Sequence, residues 1–160
     1  MAAAAQCPCI ELDALYWGPG WTPVPHATFE AAVQQATAGD RWVVEGNYSA
    51  VRDVLWPRAT HIVWLNHGRW TVFSRLFWRT ITRGTTRTRL SHGNRESLRM
   101  AFFSRDSVLL WSLSTFKKNR VKFAGLRNDP RYAHLTWTEI TRPSDARAAI
   151  ERLTCTARST

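Results

Sequence analysis

Two apolar runs with no polar alternation, Trp42-Val43-Val44-Glu45 and His61-Ile62-Val63-Trp64-Leu65, restrict this chain more than anything else in it. Each is strand-length, and a strand with two apolar faces must be covered on both, which is the situation of a parallel sheet flanked by helices. The first run stops on a carboxylate followed by Gly46. In open α/β sheets ligands gather at the carboxyl ends of strands, so Glu45 is a candidate for holding a metal, a water or a substrate hydroxyl.

The remaining pattern extends this to βαβαβααβα. Residues 10–12 make a short first strand that runs into Asp13 and a turn-rich segment around Gly18, Pro19 and Gly20. Between residues 26 and 38 the spacing of Phe29, Val33 and Ala36 predicts a helix ending near Gly39. A short helical crossover with Val51 and Leu55 leads to the second apolar run. Residues 69–83 form an amphipathic helix with Trp70, Phe73, Phe77 and Ile81 near one face and Arg75, Arg79 and Arg83 four apart on another. A polar loop at residues 84–89 breaks it, and a second long helix is expected over 94–116. A basic irregular stretch over 117–131 follows, then a strand at 135–140 and a closing helix capped by Ser144. Trp42, Trp64 and Trp137 are the tryptophans expected in the core, whereas Trp17 and Trp21 sit in a loop where they could stack on a base.

With 160 residues and 44% hydrophobic content the chain closes one ordinary core, so a single domain over 1–160 is expected. No run is long enough to span a membrane and the first residues lack a basic flank, which predicts a soluble cytoplasmic protein without a membrane partner. Cys7, Cys9 and Cys155 are odd in number and lack a second ligand pair at zinc spacing, so free thiols are expected. The formal charge of +10 is carried almost wholly by arginine, the only lysines being Lys117, Lys118 and Lys122. Guanidinium forks suit bidentate capture of phosphate oxygens, and the anionic partner is either a nucleotide or a nucleic acid. A solvated basic face is the bland alternative for any single arginine.

Several segments together resemble a known family: Leu12-Asp13-Ala14-Leu15-Tyr16-Trp17 with Pro19-Gly20-Trp21, then Trp42-Val43-Val44-Glu45-Gly46-Asn47-Tyr48-Ser49, Ile62-Val63-Trp64-Leu65, Gly93-Asn94-Arg95-Glu96-Ser97 and Phe103-Ser104-Arg105-Asp106-Ser107. They are similar to the small bacterial P-loop ATPases labelled topology modulation or adenylate-kinase-related proteins. The resemblance implies an α/β, three-layer, P-loop kinase-like parallel sheet and an arginine-rich lid over about residues 75–105. It also implies magnesium and ATP as cofactors and transfer of a phosphoryl group to an acceptor. The family's glycine-rich loop with its lysine is missing, since no lysine precedes Lys117 and the residues before Ile10 are too few to build strand, loop and helix. By resemblance the first strand here is the family's second. Either the chain is a fragment of a longer gene product or it has lost the triphosphate cradle. A parallel sheet without that central strand exposes two unpaired edges with a hydrophobic gap between them.

Carried over residue by residue, Glu45 matches the acid that helps hold magnesium through water, although the family usually has aspartate there. Asp13, Trp17, Asn47, Tyr48 and Arg52 fall over the acceptor pocket. Arg75, Arg79, Arg83 and Arg87 fall in the lid, with Arg79 and Arg83 placed to stabilise charge on a transferring phosphoryl group. Arg142 falls in the loop near adenine. The resemblance thus implies a kinase-type protein for a nucleotide or small phosphorylated ligand. It would be weakly active or inactive as it stands, because the phosphate cradle supplies most of the catalysis in this chemistry. The alternative is a non-catalytic, basic nucleic-acid-binding protein.

Overall fold

The computed structural model describes residues 6–86 and 108–156. Its strands are β1 (Cys9–Glu11), β2 (Val43–Glu45), β3 (His61–Leu65) and β4 (Thr136–Ile140). Its helices are α1 (Leu12–Tyr16), α2 (His26–Ala36), α3 (Arg52–Leu55), α4 (Arg69–Thr86), α5 (Val108–Arg127) and α6 (Ala146–Thr156), with single 3-10 turns at Pro19–Trp21, Ser49–Val51, Pro130–Tyr132 and Pro143–Asp145. The chain is mixed α/β and its strand pairs are parallel, β1 with β2 and β3 with β4. They do not merge: the strands form two separate two-stranded sheets.

Backbone polarity shows why. In a parallel ladder the N–H and C=O of one residue point to the same side, and the side alternates along the strand. Thr136 N–H donates to Thr60 C=O at 2.9 Å and Asn66 N–H to Ile140 C=O at 3.0 Å. Ile62 and Trp64 therefore face β4, while His61, Val63 and Leu65 turn their backbone groups to the opposite edge. Val43 N–H donates to Pro8 C=O at 2.9 Å, so Val43 and Glu45 face β1 and Val44 faces away. Among the described residues no backbone group pairs with either outward edge.

The first half-sheet is tied to α2 by a core of Leu12, Phe29, Val33, Val51 and Leu55. Phe29, Val33 and Val51 are fully buried, as the helical spacing of the first two predicts. Helix α2 stops at Thr37, whose buried hydroxyl donates to Val33 C=O at 2.8 Å, and Arg58 donates to Thr37 C=O at 2.6 Å, satisfying one of the helix's orphan carbonyls. Gly46 holds φ +131°, and a Cβ there would lie 2.9 Å from Leu12 Cβ. Only glycine lets β2 end so close to α1.

The second half-sheet has a smaller core of Ala59, Tyr132 and Leu135. Trp64 stacks on Phe123 of α5 with ring centroids 5.9 Å apart. Trp42 and Trp56 pack against both cores, so side chains rather than a backbone ladder join the halves.

Several sequence expectations need correction. Leu12 belongs to α1, not to the first strand, and helical backbone continues through Asp13 where a loop was expected. Gly84, Thr85 and Thr86 extend α4 instead of breaking it. The basic stretch after Phe116 is helical as far as Arg127, because its charges sit on an exposed surface that a helix tolerates. The closing helix starts at Ala146, after a 3-10 turn that contains Ser144, whose hydroxyl bonds Asp145 rather than a helix amide. Trp42, Trp64 and Trp137 are half-buried, bordering the gap or the small core. The loop at 87–89, the helix expected over 94–107, Glu96, Asp106 and the side chain of Cys155 lie outside the described residues. Among the described residues no helix is long and apolar enough to cross a membrane.

Candidate functional site

A cavity of about 1150 Å³ opens between the two half-sheets. Val44 of β2 and the whole of β3 line it, and Asn47, Tyr48, Arg52, Asn66 and His67 contribute from the carboxyl ends of the strands or just beyond them. Gly46 ends β2, and the short connection through Tyr48 brings Arg52 back as the first residue of α3. The Arg52 guanidinium lies over the Trp56 ring, its central carbon 4.9 Å from the ring centroid. Its Nη2 is buried and has no hydrogen-bond partner among the described residues. A buried charged donor without an acceptor costs at least about 1–3 kcal/mol, a cost that an anion in the cavity removes.

Asp13 and Trp17 cluster with Tyr48, which alone of the three lines the cavity. The Tyr48 hydroxyl donates to Asp13 Oδ1 at 2.6 Å. Burial first, then the hydrogen bond and the negative charge of Asp13, push the Tyr48 hydroxyl above its ordinary value, against a smaller lowering from Trp17. Tyr48 is thus a neutral donor committed to Asp13. The Tyr16 ring packs on Trp17 at 4.8 Å, Tyr48 at 4.7 Å and Phe29 at 5.2 Å, which fixes this cluster to the first core.

The structure does not bring the other expected residues to this place. Glu45 is exposed, sits in register with Glu11 on the neighbouring strand, and is not part of the cavity wall. No hydrogen bond or ion pair holds its side chain among the described residues. Among those residues no group of three or more His, Cys, Asp or Glu side chains converges. Glu45 therefore lies off the wall that Arg52 lines, and among the described residues that wall gathers no cluster of side chains able to hold the magnesium of a triphosphate. Arg75 and Arg79 are exposed on α4, away from the cavity. Arg142 is exposed just before the Pro143–Asp145 turn. The side chain of Arg83 and all of Arg87 lie outside the described residues.

Sequence reasoning missed the polar cluster that follows β3. Asn66 and His67 are each only 8% exposed. Asn66 donates to Glu139 Oε1 at 2.6 Å, and Arg127 donates to Glu139 Oε2 at 3.2 Å, clamping β3, β4 and α5 together. His67 Nδ1 lies 3.2 Å from Thr141 C=O. A carbonyl only accepts, so Nδ1 carries a proton in this contact. The signal was present, since two polar residues directly after an apolar strand occupy the strand-end position that Glu45 drew attention to. Comparison with protein-family models, curated proteins and solved structures returned no match.

Proposed function

We propose that this chain is a P-loop kinase-type, three-layer α/β protein that binds a nucleotide or small phosphorylated ligand between its half-sheets. Arg52 meets the phosphate, and Asn47 and Tyr48 border the acceptor side. The observation that carries this reading is the buried, unpartnered Nη2 of Arg52 on the wall of a cavity at the carboxyl ends of parallel strands. The net charge of +10 supports an anionic ligand. The sequence holds no glycine-rich loop with lysine, and Glu45 lies off the cavity wall. Phosphoryl transfer from ATP is accordingly weak or absent. Calorimetric titration with ADP tests the binding: saturable heat should appear for the wild type and vanish in Arg52→Ala, and equal binding by both proteins refutes the assignment. A turnover assay with magnesium and ATP tests the inactivity. Clear hydrolysis that disappears in Glu45→Ala overturns it.

A second reading, non-catalytic nucleic-acid binding, has its own observation. On α4 Trp70 is 80% exposed and Trp78 63% exposed, interleaved with exposed Arg75 and Arg79. Aromatic platforms set among arginines suit stacking on single-stranded bases. Its affinity for single-stranded DNA should fall steeply with salt, and Trp78→Ala should weaken it. A flat salt dependence sinks this reading.

A further inference from the structure

Helix α4 carries four arginines and no acid. Four-residue steps place Trp70, Ser74 and Trp78 in one row along it and Arg75 and Arg79 in the next, about 100° further round. All five are exposed. The tryptophans are braced from beneath. Trp70 sits edge-on to Phe73 with ring centroids 6.3 Å apart, Trp78 edge-on to Phe77 at 5.9 Å, and the two half-buried phenylalanines stack on each other at 6.1 Å. An exposed ring held in this way loses little side-chain entropy when another ring stacks on it. Among the described residues neither Arg75 nor Arg79 is in an ion pair. The hydroxyls on this face are spent inside the helix, Ser74 donating to Thr71 C=O at 3.2 Å and Thr82 to Trp78 C=O at 2.9 Å.

We infer that α4 binds single-stranded nucleic acid lengthwise and without regard to sequence, with bases stacked along the Trp70–Trp78 row and phosphates held along the Arg75–Arg79 row. This rests on nucleic-acid binding by the chain and adds the form of the polymer, its placement and the length it occupies. A strand has the same two-row polarity, bases on one side and anionic phosphates on the other. At 1.5 Å per residue the tryptophans stand about 12 Å apart along the axis, roughly three to four nucleotides at the 3.4 Å spacing of stacked bases. Duplex DNA matches poorly, because its base faces are covered by their neighbours in the stack. A lipid surface also matches poorly. A helix lying on one needs a broad apolar face, and in α4 Phe73, Leu76, Phe77 and Ile81 are half-buried, leaving the two tryptophans as its exposed apolar area. Charge argues against the chain itself as occupant, since residues 87–107 carry five arginines against two acids and a second copy brings a further +10. Ser74 and Thr82 commit their protons to helix carbonyls rather than to base edges, and stacking accepts every base, so this face does not read sequence.

The test is fluorescence anisotropy of a labelled twelve-nucleotide oligothymidylate with the full chain. Trp70→Ala and Trp78→Ala should each weaken binding at least about fivefold, the lower bound for one lost base stack. Trp70→Phe and Trp78→Phe keep a ring to stack on and should retain most of the affinity, which keeps the test valid where an alanine variant fails to fold. Arg75→Ala and Arg79→Ala should each lower the slope of log affinity against log salt by about 0.7, the value for one phosphate of a single strand. Arg147→Ala on α6 should leave that slope unchanged. A two-nucleotide strand cannot reach both rings, so it should bind at least about fivefold more weakly than a four-nucleotide one. Oligocytidylate and oligouridylate should bind as oligothymidylate does, and a duplex of the same length more weakly. Steep salt dependence with affinity and slope unmoved by the α4 variants overturns the inference, while nucleic-acid binding stands with its site elsewhere. Retention of no oligonucleotide at low salt overturns both. Equal binding of the duplex, equal binding of two and four nucleotides, or a strong preference for one base also overturns it. So does capture by phosphatidylserine vesicles that the tryptophan variants abolish while the oligonucleotides stay unbound.

Discussion

The two half-sheets have the same architecture, two parallel strands with helical cover, yet they are held in different ways. The first is closed by hydrophobic burial, with Phe29, Val33 and Val51 at zero exposure beneath β1 and β2. The second has a smaller apolar core and is fastened by polar contacts at its carboxyl end, where Glu139 takes hydrogen bonds from Asn66 and Arg127. Among the described residues only Trp42 and Trp56 pack against both. The difference teaches that each half is locally consistent while their union is not, since a sheet that continued from one to the other would need a ladder where the cavity now lies.

Mutations can break or sharpen this contrast. The largest effect is expected from Phe29→Ala, which empties the first core and should cost about 3–5 kcal/mol in chemical denaturation. Leu135→Ala in the second core should cost less, near the lower end of the roughly 2–5 kcal/mol range for such truncations. Equal losses would erase the distinction between the halves. Next is Gly46→Ala, where a strained φ and a 2.9 Å approach to Leu12 Cβ act together. It should destabilise by about 1–3 kcal/mol, measured as a lowered thermal midpoint, and a neutral result would mean that β2 does not end against α1 in this way. The smallest effect concerns Tyr48, whose hydroxyl is held above its ordinary pKa chiefly by burial and then by Asp13. A raised folded value means that this contribution is whole below about pH 10, the unfolded value, and is lost as the pH climbs above it. Tyr48→Phe should therefore flatten the alkaline fall in stability above pH 10 while changing neutral-pH stability by only about 1 kcal/mol. An unchanged alkaline profile would remove Tyr48 from the account.

Much of the strand framework was legible because apolar runs and helix spacing are local. His61–Leu65 is a strand as read, and α2 starts at His26 and buries Phe29 and Val33 as its spacing requires. Element boundaries were less legible where polar composition conceals helical backbone, as in the basic half of α5. The division of the sheet was anticipated only through the resemblance, whose missing central strand leaves two unpaired edges, because which edges find partners is a long-range property no window of residues contains. The cavity wall includes some of the residues that the sequence singled out. Arg52, Asn47 and Tyr48 share the cavity wall, but the chemistry assigned to Glu45 relied on its place at a strand end, and it takes more than a strand end to turn an acid toward a cavity. The Asn66–Glu139–Arg127 clamp was illegible because its partners lie 73 and 12 residues apart.

The central claim is that among the described residues β3 is paired on one side only, and amide exchange in the isolated chain tests it directly. Ile62 and Trp64, which donate to β4, should exchange slowly, while His61, Val63 and Leu65 exchange fast, giving an alternation with a period of two residues along a single strand. Uniform protection from His61 through Leu65 would contradict the account, for it would mean that the gap is already filled.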